Sequence, residues 1–143
     1  MITDVKEPET TELYKDLHFN QRLWINKIKF YKNQINILQS DLDKLVKYYF
    51  DKELMGEVEQ YQNKFIVYTD LANRLIKEYK LLRNKIAKIN GNDSIKIQEE
   101  ISDKRISLKK KTAGFVDYIE DLKENFFIFY TSYYLSENHV YSN

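Results

Sequence analysis

Residues 54–89 read LMGEVEQYQNKFIVYTDLANRLIKEYKLLRNKIAKI. Through this stretch Leu54, Val58, Tyr61, Phe65, Tyr68, Ala72, Leu75, Tyr79, Leu82, Ile86 and Ile89 recur at alternating steps of four and three. A mean step of 3.5 keeps one face of a helix turned toward a partner. The same rule holds upstream for Trp24, Ile28, Tyr31, Ile35, Leu38, Leu42, Leu45 and Tyr49. Downstream it holds for Leu108, Thr112, Phe115, Ile119, Leu122, Phe126, Phe129 and Tyr133. Three stripes of nearly matched length specify an all-α chain. The expected architecture is an antiparallel up-down-up three-helix bundle with long, coiled-coil-like helices.

The breaks between stripes set the boundaries. From Tyr49 to Leu54 the step is five, so the frame breaks there. Asp51 is a suitable N-cap for the second helix, and Gly56 is a rival turn that lies inside the second stripe. Asn90-Gly91-Asn92 is the clearest turn, with Asp93 or Ser94 capping the third helix. Residues 1–10 hold Pro8 and three acids without periodicity and read as a flexible tail. Thr10 or Thr11 would cap the first helix, with Glu12 in its first turn. The spacing thus predicts helices near 11–49, 52–89 and 94–136 within a single domain, 11–143. An open arrangement, in which the helices complete their core only in a dimer, is the competing architecture.

Composition narrows the function classes. The chain has 143 residues, 43% of them hydrophobic, with 12 Tyr and 8 Phe. The absence of Cys removes disulfides, thiol catalysis and Cys-based zinc sites, and fits a reducing compartment. No stretch reaches the roughly 18 apolar residues of a membrane span. The start, MITDVKEPETTE, has no apolar signal core. A cytoplasmic protein without a membrane span is the expectation.

Little chemistry can be assembled. His18 has Tyr14 and Arg22 one turn away rather than carboxylates, and His139 lies near the end of the third helix. There is no Glu-x-x-His pair of the kind that holds metals in carboxylate-bridged bundles. No phosphate loop or nucleophile elbow is present. Acids such as Glu57/Glu59 and Asp117/Glu120/Asp121/Glu124 have the spacing of exposed faces. No catalytic, cofactor or metal site is expected.

Charge is sorted along the bundle despite a net +1. The half built from 11–33 and 73–111 carries 17 Lys/Arg against 7 Asp/Glu, and that built from 34–72 and 112–143 carries 5 against 12. Arg74, Lys77, Arg83, Lys104, Lys109, Lys110 and Lys111 form a possible basic patch. It could meet nucleic acid or another acidic partner, or the acidic half of a second, antiparallel copy. It could also be no more than solvated surface.

Some polar residues fall in the seam. Gln98, Arg105 and Thr112 take positions later held by Ile119, Phe126 and Tyr133. Gln21, Glu78 and Arg105 would form a polar layer near the basic end. Such a layer either binds a small ligand or fixes register; alternatively Arg105 snorkels to the rim. Thr112-Ala113-Gly114 is a small-residue patch that makes room for Phe30, Tyr31 and Tyr68, or serves as a hinge or pocket. At the other end, Tyr48, Phe50, Phe127, Tyr130 and Tyr134 supply more aromatic surface than one seam can hide. They form a contact surface, thicken the core or touch a membrane without spanning it. Leu23, Phe30 and Ile37 make a second stripe on the first helix, one residue behind the main one.

The runs Leu17-His18-Phe19, Arg22-Leu23-Trp24 and Lys29-Phe30-Tyr31-Lys32 resemble a set of small helical proteins of Bacteroidetes, as do Glu57-Val58-Glu59 and Gln62-Asn63-Lys64-Phe65-Ile66. The resemblance covers roughly 17–66. It implies a helical fold and carries no activity, partner or site. The expected function is a non-catalytic interaction or scaffolding protein that self-associates as a homo-oligomer or binds another helical protein. The alternative is a nucleic-acid or acidic-partner binding module using the basic half.

Overall fold

A computed structural model describes the backbone of residues 2–49, 51–89 and 95–142, and the side chains of 20–49, 51–89 and 95–133. It is all-α. Helix α1 spans Ile2–Tyr48, α2 Lys52–Ala87 and α3 Ile95–Ser142. Each helix touches both others. Tyr61 meets Phe126 and Tyr79 meets Thr112, so α2 and α3 run antiparallel. Tyr31 meets Phe115, and Leu38 lies beside the 120–127 stretch, so α1 and α3 run parallel. The arrangement is up-down-up.

The seam closes within one chain. Ile28, Ile35, Leu42, Leu54, Phe65, Leu75, Tyr79, Leu108 and Ile119 are all buried to within 2% of complete. The open arrangement completed only by a second copy is therefore not the structure adopted. Edge-on and tilted ring contacts thicken the core toward the acidic end. Phe126 sits among Tyr61, Phe65, Phe129 and Tyr130, with ring centroids 5.3–6.1 Å apart.

The first break is where the step of five falls. Tyr49 leaves the helix, and Asp51 adopts an extended φ of −134° and ψ of 141°. The Glu53 backbone N–H donates to the Asp51 carboxylate at 3.3 Å, the bond an N-cap supplies to an otherwise unpaired donor. At its far end α2 tightens: the N–H groups of Lys88 and Ile89 donate three residues back, to Lys85 and Ile86. The Asn90-Gly91-Asn92 turn, its Asp93 or Ser94 cap, and Phe50 lie outside the described residues.

Two boundaries differ from the sequence expectation. Helix α1 begins at Ile2, so 2–10 are helical rather than a separate tail. Pro8 forfeits one backbone hydrogen bond there. Helix α3 runs on to Ser142 rather than stopping near Ser136, because no Gly or Pro follows Leu135 to end it.

Gly56 and Gly114 both lie inside helices, and a Cβ at either would meet nothing within 4 Å. The space at Gly114 is thus open groove, with no ring seated against its Cα. Alanine at either position is expected to stabilise the fold by about 0.5–1 kcal/mol, because glycine loses more backbone freedom in a helix. Chemical denaturation of the two single variants checks this; destabilisation at Gly114 would mean that a close approach there matters.

Candidate functional site

Gln21 and Arg105 line one pocket, and Glu78 stands in a different groove. Gln21 is only 1% exposed, and its Oε1 has no hydrogen-bond partner. With Asn20, Leu23, Trp24, Tyr79, Arg105 and Lys109 it lines a pocket of about 140 Å³ between α1 and α3. Arg105 is half-buried, while Gln98, one heptad earlier, is exposed. Lys27 holds its ammonium 5.2 Å from the centre of the Trp24 ring.

Glu78 is not in that pocket. It stands one helical step, about 100°, from Tyr79, so Tyr79 points inward and Glu78 turns to the groove between α2 and α3. There Lys104 and Lys111 of α3 reach its carboxylate at 3.6 and 3.7 Å. These bridges are partly exposed, and such pairs contribute roughly 0–1 kcal/mol each. The expected Gln21–Glu78–Arg105 layer is thus corrected to Gln21 and Arg105 with Tyr79.

Thr112 joins α2 to α3 rather than lining the pocket. Its hydroxyl donates to the Leu108 carbonyl at 2.8 Å and lies 2.6 Å from the Tyr79 hydroxyl. A threonine hydroxyl has one proton, already directed at Leu108, so Tyr79 must donate to Thr112. This buried bond joins α2 to α3 and fixes their register. It also leaves Tyr79 with no proton for Gln21. Tyr31 meets the ring of Phe115, the residue that follows the small-residue patch. Tyr68 stacks instead on Tyr118, centroids 4.0 Å apart, above the groove that Gly114 lines.

Several tyrosines are pushed above their ordinary pKa. Burial is the main cause at Tyr31, Tyr61, Tyr68, Tyr79 and Tyr133. A hydrogen bond to Glu120 adds to it at Tyr31, and one to Tyr118 at Tyr68. The charge of Glu57 adds to it at Tyr61 and Tyr133. The native chain holds these protons longer than the unfolded chain does. Their stabilisation is complete below about pH 10 and is withdrawn as pH rises through the elevated folded values. Melting temperature is expected to be insensitive to these groups between about pH 7 and 9 and to fall steeply above about pH 10.5. Melts followed by circular dichroism check this; a flat profile to pH 12 would contradict it.

The basic residues do not share one face. Arg74, Lys104 and Lys111 stand around Glu78 at the α2/α3 groove. Lys109 lines the α1/α3 pocket. Heptad spacing places Lys77 and Lys110 on the outermost edges of α2 and α3, where both are exposed, while Arg83 is half-buried. Along the α1/α3 groove the charge does change sign. Arg105 and Lys109 stand at one end, and Asp41, Glu120, Asp121 and Glu124 at the other.

Apolar side chains rim that same groove. Leu23, Phe30 and Ile37 of α1 are 53%, 55% and 49% exposed, and Phe127 of α3 is 67% exposed. Leu23 lines the basic end and Phe127 the acidic end. Ile106, three heptads before Phe127 and on the same edge of α3, is exposed as well. Of the other expected contact residues, Tyr48 is exposed and Tyr130 packs partly on the core. The side chains of Phe50, Tyr134, His18 and His139 lie outside the described residues. Among the described residues, no helix is long and apolar enough to cross a membrane.

Comparison with protein-family models, curated proteins and solved structures finds no match to this chain.

Proposed function

We propose that this chain is a non-catalytic helical interaction protein that pairs with a second copy of itself, antiparallel, through the α1/α3 face. The observation that carries the reading is the row Leu23, Phe30 and Ile37, about half exposed at seven-residue spacing, with Phe127 and Ile106 on the facing edge. Large side chains aligned on one face over about 21 Å lose contact with water only if another surface covers them.

A second copy fits this face better than an unrelated surface. Phe30 lies within one turn of the bundle's midpoint, so a two-fold axis there brings the residue near its own counterpart. About that axis, Phe127 falls level with the other copy's Leu23 and Ile106. The same operation sets the basic end of the groove, Arg105 and Lys109, against the acidic end, Glu120 and Glu124. A nucleic-acid reading would want the cations gathered on one face. Here they are spread around the bundle, and Lys104 and Lys111 are engaged with Glu78. Sedimentation over a concentration series tests the proposal, and a single-chain mass throughout would end it.

A further inference from the structure

The pocket between α1 and α3 holds an unanswered acceptor and unanswered cations. Gln21 Oε1 is buried without a donor, and the hydroxyl proton of Tyr79, which lines the same pocket, is taken by Thr112. Arg105 is half-buried, and Lys109 lies one turn along the same helix. Neither has an ion-pair partner among the described residues. A buried carbonyl oxygen calls for an O–H or N–H, and two cations lining one pocket favour an anion there.

We infer that this pocket binds a small free oxyanion that carries its own hydroxyl, a short 2-hydroxycarboxylate. The carboxylate lies across the planar fork of Arg105, with Lys109 as a second cation. The hydroxyl donates to Gln21 Oε1. The carbon chain rests against Trp24 and Leu23, which line the same pocket. The pocket offers a volume of about 140 Å³. That admits glycolate or lactate. Hydrogen phosphate pairs O–H with charged oxygens in the same way but has no carbon to set against the indole. The inference goes beyond self-association and concerns the single chain, because in the proposed pair the same Arg105 and Lys109 face the other copy's Glu120 and Glu124.

Trp24 is the sole tryptophan of the chain, which makes the pocket self-reporting. The full chain is titrated with glycolate, acetate, hydrogen phosphate and sulfate, followed by Trp24 fluorescence and by the Gln21 side-chain amide signal in NMR. Glycolate is expected to saturate, binding about tenfold more tightly than acetate, which lacks the hydroxyl. Arg105→Gln should weaken glycolate about tenfold or more. Gln21→Leu should bring glycolate and acetate within about twofold of each other. If Arg105→Gln loses helicity, Lys109→Gln replaces it, since Lys109 is exposed. No saturable change with any anion would mean a pocket that holds only water, and would overturn the inference. Equal binding of glycolate and acetate, or a preference that survives Gln21→Leu, would also overturn it. Tighter binding of hydrogen phosphate would overturn the assignment to a carboxylate. Titrations run at dilutions where only single chains sediment keep a failure here separate from a failure of self-association.

Discussion

Phe126→Ala is expected to cost about 3–5 kcal/mol of unfolding free energy, whereas the same change at neighbouring Phe127 costs about 0.5 kcal/mol or less in the isolated chain. The two rings differ by one helical step. Phe126 is 2% exposed and packs against rings from both α2 and α3, while Phe127 faces outward. Removing the buried ring loses its transfer free energy and leaves a cavity among aromatics that cannot collapse freely. At this chain length the loss should lower the melting temperature by roughly 10 °C. Urea denaturation of both variants at low protein concentration measures the pair. Equal costs would mean that the heptad frame of α3 is wrongly assigned.

Combining Phe30→Glu with Phe127→Glu is expected to abolish self-association while leaving helicity and melting behaviour close to those of the unaltered chain. Both side chains are more than half exposed, so neither carboxylate is forced into the core. In the proposed pair both sites would be covered. A buried aromatic anchor contributes about 2 kcal/mol or more, so losing two should weaken association about a thousandfold or more. Ile66→Glu on α2, also exposed but away from the α1/α3 face, is the control and should associate normally. A double variant that still pairs would place the interface elsewhere.

The fold was legible because its seam obeys one rule over three segments. Every residue of the three main stripes is buried or half-buried, and the step of five at Tyr49–Leu54 coincides with the first break. Asp51 was legible as a cap because an acid stood just before a new frame. Ile25 and Ile76 were less so. Each lies beside its main stripe yet is buried, since α1 and α2 pack broadly along that side.

The candidate site was legible only in part. Polar residues at seam positions pointed to Gln21, Arg105 and Thr112. Which of them meet depends on how far the helices slide past one another, and heptad counting fixes that only to about a turn. Glu78 was grouped with Gln21 because the two are level. Level residues join only when they also face one another, and Glu78 faces α3's lysines. The bond between Tyr79 and Thr112 had a signal that was open to reading, a threonine in the seam opposite a tyrosine in its partner. The α1/α3 edge was half legible. The stripe Leu23, Phe30 and Ile37 stood out at once, but its alignment with Phe127 across the groove needed the parallel pairing of the two helices.

The central claim is that a second copy covers the α1/α3 face, with its charge polarity reversed. Analytical ultracentrifugation across a wide concentration range, at low and at high salt, tests it most directly. The account predicts twice the single-chain mass at high concentration, dissociating on dilution, with added salt weakening the pair by screening its charges. A mass of one chain at every concentration would contradict it, and a dimer that tightened with salt would contradict the antiparallel charge pairing.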